Sequence, residues 1–305
     1  MAQTKTLMML GAHHDDNELS SGGTLAKYRA AGWRIVYATL IDATTFAEDC
    51  PYYCSHPGVR LSFRETLAMR EDAARHGAAV LGAEVVKFFH FKPMYFYPEF
   101  YQGMKFDCSL DLNAGDDAVI EGMKQYQGKY LCSSSTEDGP VSEVLEFIVE
   151  NRPDVIITHC PSDLHCEHYF TAACAHAAAG RAVREYGMKD LRLFGIAPAS
   201  SGTCMYFRPD TIIDITDTID IKRKAVDFFI PTQQEAFSPG GFPLKLEKAG
   251  RYWGKYIGVE YAEAFAELPL QRIRKRRGSV LHEDEMAEYV RVPDALRKCF
   301  LDEVK

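Results

Sequence analysis

Short, continuously apolar runs alternate with longer amphipathic segments along much of the chain, and this alternation is the feature that most restricts the fold. Arg34–Ile41 (RIVYATLI) and the run VIIT that begins at Val155 are almost entirely apolar, as expected of strands buried on both faces of a sheet. Segments with apolar residues at helical spacing follow such runs, for example Phe63–Leu81. The pattern predicts an α/β fold, a Rossmann-like parallel sheet with helices on both faces.

The same periodicities predict strands and helices in alternation up to residue 196. In chain order these segments are Thr6–Ala12, Leu19–Ala31, Arg34–Ile41, Phe63–Leu81, Val85–Phe91, Val141–Asn151, Val155–His159, Phe170–Arg184 and Leu191–Ile196. Two regions, 42–59 and 92–139, interrupt the pattern just after predicted strands, at the edge of the sheet where α/β proteins bind ligands. We expect one domain over residues 1–305, with these two insertions and a C-terminal extension from about residue 270.

Composition excludes several classes of protein. The chain has 35 Lys and Arg against 43 Asp and Glu, a net charge of −8, which argues against a nucleic-acid partner. The one basic run, Arg272–Arg277 (RIRKRR), is interpreted as a solvated helix face. No stretch reaches the roughly 18 apolar residues that a membrane span needs, and the N-terminus runs into a motif without a targeting segment. Nine scattered cysteines then indicate free thiols and a cytoplasmic location.

Two polar clusters follow predicted strands. The first reads AHHDDNELSSGGTLA from Ala12 to Ala26, and the second reads HCPSDLHCEH from His159 to His168. A dinucleotide site would place a glycine-rich phosphate cradle after the first strand, whereas these carboxylates would repel phosphate. Imidazoles and carboxylates are instead ligands of divalent metals such as zinc. Because both clusters follow carboxyl ends of parallel strands, the sequence predicts a metal site at that edge.

Together the two clusters resemble the motifs of the LmbE-like, or PIG-L, family of zinc-dependent deacetylases. The first is similar to the family's A-H-P-D-D-x-E…GGT signature, and the second to a motif in which His-x-Asp-His closes the site. The resemblance covers the framework of most of the chain, but neither insertion nor the C-terminal extension. It implies that His13, Asp16 and His168 hold Zn²⁺ or another divalent metal, that Asp15 is the general base, and that His165 steadies the oxyanion and assists the leaving amine.

The chain departs from the family pattern at two positions. His14 stands where the family has Pro, and because adjacent residues of an extended segment point in opposite directions, we expect it to face away from the metal or to line the pocket rim. Glu167 stands where the family has Asp, and its extra methylene is expected to change how the carboxylate orients or tunes His165. The charge state of His165 therefore stays open.

Three further residues have alternative interpretations. Glu18 either orients a metal ligand through a hydrogen bond or is a carboxylate favoured at a helix N-terminus. Arg70 resembles a substrate contact of some family members, but a surface ion pair with Glu71 or Asp72 is the preferred interpretation. Asp163 either supports His165 or caps the turn.

The function implied is hydrolysis of a small-molecule amide by metal-activated water, with an N-acetyl amino sugar or its glycoside as substrate. Two alternatives stay open: an amidase acting on a thiol conjugate or other non-sugar amide, and a non-catalytic metal- or sugar-binding relative. We expect no nucleic-acid or membrane partner. The aromatic residues of the second insertion (Tyr95–Tyr101) suit a substrate wall, a local core or a subunit contact, and they leave a homo-oligomer open.

Overall fold

A computed structural model describes residues 4–42, 50–59, 61–91, 139–163, 165–197, 207–232 and 241–270. The Tyr95–Tyr101 cluster, the basic run Arg272–Arg277 and the extension beyond 270 lie outside the described residues, as does almost all of the 92–139 insertion. The single-domain organisation remains a prediction. Within the described parts of the chain, no helix is both long enough and apolar enough to cross a bilayer.

Seven strands and seven α-helices make up the described structure. The strands are β1 (Thr6–Gly11), β2 (Arg34–Ile41), β3 (Val85–Phe91), β4 (Val155–Thr158), β5 (Arg192–Ile196), β6 (Thr211–Asp214) and β7 (Ala262–Glu267). The helices are α1 (Asp16–Ala30), α2 (Pro51–Ser55), α3 (Phe63–Val80), α4 (Pro140–Asn151), α5 (Cys166–Glu185), α6 (Ile219–Asp227) and α7 (Gly241–Ile257).

The strands form one sheet in the order β3-β2-β1-β4-β5-β7-β6. The predicted parallel arrangement is confirmed for β1 to β5, in which β1 lies between β2 and β4. It is wrong for β7, which runs antiparallel to both β5 and β6. The sequence patterns assigned no element beyond residue 196, and the α/β class itself is confirmed.

Helices cover both faces of the sheet, as the apolar strands predicted. Along β1, Met8 and Leu10 belong to a core cluster with residues of α4 and α5, such as Ile148. Leu7 and Met9 belong to a second cluster with α1 and α6, including Leu25. Side chains of a strand alternate between faces, so two apolar cores hold the carboxyl ends of β1 and β4 side by side.

Two helices begin earlier than their apolar periodicity suggested. The apolar pattern placed their starts at Leu19 and Phe170, whereas α1 begins at Asp16 and α5 at Cys166. Their first turns are polar, so the burial pattern that identifies a helix from sequence is absent there. As a result Asp16 and His168 lie in the first turns of rigid helices and not in loops.

Candidate active site

The two polar clusters meet at the carboxyl edge of the sheet. β1 pairs directly with β4, with Leu10 opposite Thr158, and each strand is followed by a short turn and a helix. His13 lies in the turn between β1 and α1, and His165 is the N-cap residue of α5. This adjacency brings residues about 150 positions apart in sequence into contact.

Three donor groups converge in this pocket. The Nδ1 atom of His13 lies 3.2 Å from Asp16 Oδ2, and the Nε2 atom of His168 lies 3.4 Å from Asp16 Oδ1. Donor atoms of the three side chains all lie within 4.8 Å of one another. Two imidazoles and a carboxylate match the three-ligand set of a catalytic zinc site, which keeps one position open for water.

Carboxylates on the far sides of both rings orient these imidazoles. His13 Nε2 donates to Glu167 Oε2 at 2.7 Å, and His168 Nδ1 donates to Asp163 Oδ2 at 2.8 Å. Each bond leaves the lone pair on the nitrogen that faces Asp16, as is usual for metal-bound histidines. The residues therefore fit a divalent metal held by His13, Asp16 and His168.

The charges of the pocket suit the same assignment. Burial opposes ionisation of Asp16, but His168, His159 and His13 together hold the pKa of Asp16 well below its usual range. Burial lowers the pKa of His13, yet bonds to Asp16 and Glu167 raise it well above its usual value. A metal ion would replace that proton, because ligands bind metal in their deprotonated forms.

Asp15 lies beside the donor set and pairs with Arg70. The Nη1 atom of Arg70 is 3.3 Å from Asp15 Oδ2, and both side chains are largely buried. The preferred interpretation of Arg70 as a surface partner of Glu71 or Asp72 is therefore wrong. Helix α3 directs Arg70 into the pocket, and a contact across 55 residues of sequence carries no local signal.

His165 contributes a buried nitrogen to the pocket. Its Nδ1 atom has no hydrogen-bond partner among the described residues. Its ring stacks on that of His168 at a centroid distance of 4.3 Å. Burial, with the charges of His168 and His13, lowers the pKa of His165 to about 3. The imidazole is therefore neutral near pH 7 and can donate through one N–H only.

The supporting residues occupy different places from those expected. Glu167 hydrogen-bonds His13, and its charge also acts on His165, whose pKa it raises against the effect of burial. Asp163 does cap the turn, since its Oδ1 accepts the His165 backbone N–H at 3.0 Å, and its other oxygen orients His168. Glu18 contacts none of the donor groups and accepts a hydrogen bond from the Tyr37 hydroxyl at 3.1 Å.

His14 and His159 lie behind the pocket. His14 is fully buried against the Phe88 ring, so it faces away from the donor set but does not line the rim. Burial lowers the pKa of His14 to about 3. His159 Nε2 accepts the Ala12 backbone N–H at 2.9 Å and lies 3.2 Å from Asp16 Oδ2, and its ring stacks on His168. It fixes the turn that carries His13.

Both polar clusters lie within the span of one protein-family model. The family model described as "PIG-L: GlcNAc-PI de-N-acetylase" matches residues 8–179, more than half of the chain and a span that includes both polar clusters. The chain belongs to the PIG-L family. The motif resemblance inferred from the sequence is thereby confirmed.

Solved structures of this fold include enzymes of more than one kind. An N,N'-diacetylchitobiose deacetylase from Pyrococcus horikoshii is 16% identical over 88% of this PIG-L protein and 85% of that chain, with a TM-score of 0.58. The 4-carboxy-2-hydroxymuconate hydratase GalB from Pseudomonas putida KT2440 is 18% identical, and the match covers 90% of this chain and 99% of that chain with a TM-score of 0.59. A zinc-inhibited form of the teicoplanin deacetylase Orf2 is 14% identical, and the match covers 89% of this chain and 100% of that chain with a TM-score of 0.55. At these identities the likeness establishes the fold.

Proposed function

We propose that this PIG-L protein is a metal-dependent hydrolase that removes an N-acetyl group from an amino sugar or its glycoside. The observation that carries the proposal is the junction of a three-donor set, His13, Asp16 and His168, with the adjacent carboxylate of Asp15. The family description and the chitobiose deacetylase support the substrate class. The orientation of both histidines by carboxylates supports metal dependence.

The metal would activate the carbonyl and the water, and Asp15 would transfer the proton. Held by His13, Asp16 and His168, a divalent ion such as zinc would polarise the amide carbonyl and acidify a water molecule. Asp15, which is not one of the three donors, would accept the proton of the attacking water as general base. The same carboxyl group would then return that proton to the nitrogen of the leaving amine.

Arg70 and His165 would act around this proton transfer. The guanidinium of Arg70 would hold Asp15 in place through the contact at 3.3 Å. The neutral ring of His165 would donate an N–H to the carbonyl oxygen as negative charge develops on it, in the manner of an oxyanion hole. The low pKa of His165 means that this help comes from a hydrogen bond and not from an imidazolium charge.

Hydration of a carbon–carbon double bond is the second candidate. GalB, whose name gives a carboxylate-bearing substrate, matches over 99% of its own length. In this chain the buried guanidinium of Arg70 at the site offers a partner for a substrate carboxylate. A non-sugar amidase and a non-catalytic binding protein remain the alternatives from the sequence.

The test compares the wild type with Asp15→Asn, with the metal content of both quantified. The substrates are N-acetylated amino sugars, N-acetylated thiol conjugates and unsaturated hydroxy-dicarboxylates. We expect amine release from an amino sugar, and a decrease in kcat of about 100- to 10,000-fold in the variant, because a positioned base contributes that much. Asp72→Asn, on the exposed side of α3, is the matched control and should match the wild type.

Other outcomes separate the alternatives. Amine release only from thiol conjugates would indicate the amidase, and water addition to the dicarboxylates would indicate the hydratase. Metal-loaded protein without any turnover would contradict the substrate classes or indicate a binding protein. If the wild type binds no stoichiometric metal, the assignment of His13, Asp16 and His168 is wrong.

A further inference from the structure

A second group of metal-binding side chains lies on the other side of the turn that follows β1. His14 in that turn, Asp42 after β2 and Glu71 on α3 come together, and His90 on β3 contacts both carboxylates. None of them belongs to the donor set described above. Their convergence is a product of tertiary structure, since the residues span 77 positions of sequence.

His90 lies close to the carboxylates of Asp42 and Glu71, and His14 forms a group with the same two carboxylates. His90 Nδ1 lies 3.0 Å from Asp42 Oδ1 and 3.6 Å from Glu71 Oε1. Donor atoms of His14, Asp42 and Glu71 all lie within 4.8 Å of one another. Ligands held about 2.1 Å from a tetrahedral zinc ion stand roughly 3.4 Å apart, so small side-chain adjustments would close this group around a metal.

Burial and charge also favour a cation in this group. Asp42 is 1% exposed and His14 is fully buried, whereas the His90 side chain is 48% exposed and the Glu71 side chain 19%. Glu71 Oε2 also pairs with Arg75 Nη2 at 3.5 Å, while its Oε1 faces His90. The Asp42 carboxylate is almost fully buried, and buried charge is costly unless it is compensated. The exposed side of His90 gives an ion a path from solvent.

The backbone of β3 is distorted at His90. His90 has a positive φ of 57°, a conformation that costs a non-glycine residue energy. The pairing of β2 with β3 shifts register between Thr39 and Ile41, and irregularities of this kind redirect side chains near functional sites. The distortion lies where the His90 ring meets Asp42.

We propose that His14, Asp42, Glu71 and His90 form a second divalent-metal site, distinct from the site of His13, Asp16 and His168. Two imidazoles and two carboxylates favour zinc, cobalt and similar borderline ions over magnesium. The two sites share elements: the turn after β1 supplies His13 to one and His14 to the other, and α3 supplies Arg70 and Glu71. An ion at the second site would fix α3, and with it Arg70 beside Asp15.

Metal stoichiometry tests the proposal independently of any catalytic assay. Chelator-treated full-length protein is dialysed to equilibrium against Zn²⁺, and the bound metal is counted by mass spectrometry. The wild type is expected to bind two ions per chain. Glu71→Gln/His90→Ala, which leaves the buried His14 and Asp42 intact, is expected to bind one. His13→Ala is expected to bind one, and the triple variant none.

A matched pair on the same helix provides the control. Asp72 and His76 form an exposed ion pair on α3, so Asp72→Asn/His76→Ala should still bind two ions. Titration with Co²⁺ gives a second measurement, because Glu71→Gln/His90→Ala should lose one set of visible absorption bands and keep the other. Circular dichroism checks that the variants are folded. A wild type that binds one ion, which His13→Ala abolishes, would overturn the proposal.

Discussion

At the residue scale, metal binding at the candidate site depends on which ring nitrogen of each histidine faces Asp16. Glu167 and Asp163 settle this for His13 and His168 by accepting their outer N–H groups at 2.7 and 2.8 Å. Glutamate at position 167, where the family motif has Asp, here reaches across from α5 to the turn after β1. The departure therefore acts directly on His13 and, through its charge, on His165.

Glu167→Gln should weaken metal binding by about 10- to 100-fold, the usual cost of losing an outer partner of a metal-bound histidine. The amide oxygen can still accept the His13 N–H, but it lacks the charge that makes the ring a stronger ligand. Competition with a chromophoric chelator measures the affinity. The exposed Glu146→Gln is the control, and equal affinities in Glu167→Gln and the wild type would contradict the assigned contact.

Glu18 gives the stability of the protein a pH dependence. Burial raises the pKa of Glu18 well above its usual value of 4.5, although the Tyr37 hydroxyl partly offsets this. The folded state then holds a proton that the unfolded chain releases, so this contribution is complete below pH 4.5 and is lost as pH rises towards the folded pKa. Glu18→Gln, which mimics the protonated form, should make the free energy of unfolding less dependent on pH.

Urea denaturation of metal-free protein between pH 5 and pH 9 measures this difference. The relevant quantity is the gap between variant and wild type, since other groups titrate equally in both. We expect the variant to gain stability relative to the wild type as pH rises. A constant gap across this range would show that Glu18 is ionised in the folded protein.

At the element scale, helix α1 packs closely because two glycines occupy its buried face. A Cβ atom added at Gly23 would lie 2.7–2.9 Å from three side-chain atoms of Ile215, whereas one at Gly22 would lie 3.1 Å from Lys222 Cγ. Ile215 is fully buried and three of its atoms would have to withdraw, whereas the contact at Gly22 is longer and requires a smaller shift of Lys222. The GGT segment of the motif thus serves helix packing behind the site.

Gly23→Ala should destabilise the protein by about 1–3 kcal/mol, the usual cost of overpacking a core. Gly22→Ala should be close to neutral, because the gain in helix propensity of up to about 1 kcal/mol offsets a milder contact. Urea denaturation of the two variants side by side measures the contrast. Equal stabilities would contradict the packing described for α1.

At the scale of the whole molecule, a buried ion pair connects helix α6 to the antiparallel strand β7, and its carboxylate also contacts helix α1. Lys222 on α6 contacts Glu263 on β7 at 2.6 Å, and both residues are 4% exposed. The same carboxylate accepts the backbone N–H groups of Gly23 and Thr24 in α1 at 3.1 and 2.8 Å. Glu263 therefore connects three elements that the strand–helix pattern does not relate.

Glu263→Gln should lower the free energy of unfolding by about 3–5 kcal/mol, because it leaves the Lys222 charge buried without a counter-charge. Lys222→Met in the same background removes that charge and should recover part of the loss. Chemical denaturation measures both variants. If the double variant is no more stable than Glu263→Gln, the uncompensated charge of Lys222 is not the cause of the lost stability.

The sequence alone determined the α/β framework and the polar clusters from which the site is proposed. Strands Arg34–Ile41 and Val85–Phe91 were predicted to the residue, because a run of apolar residues is visible within a few neighbouring positions. His13, Asp16 and His168 were assigned from motif resemblance, and the parallel topology explains why such distant residues meet. Helix starts at Asp16 and Cys166 were missed, since their first turns lack an apolar stripe.

Only the tertiary structure decided which groups touch. The pairing of Arg70 with Asp15, of Glu167 with His13 and of Lys222 with Glu263 joins positions 55, 154 and 41 residues apart. A side chain's partner depends on packing of whole elements, and neither spacing nor composition records it. The antiparallel direction of β7 was not predictable either, because the long-range path of the chain sets the direction of a strand. Local periodicity fixes elements, whereas long-range packing fixes contacts.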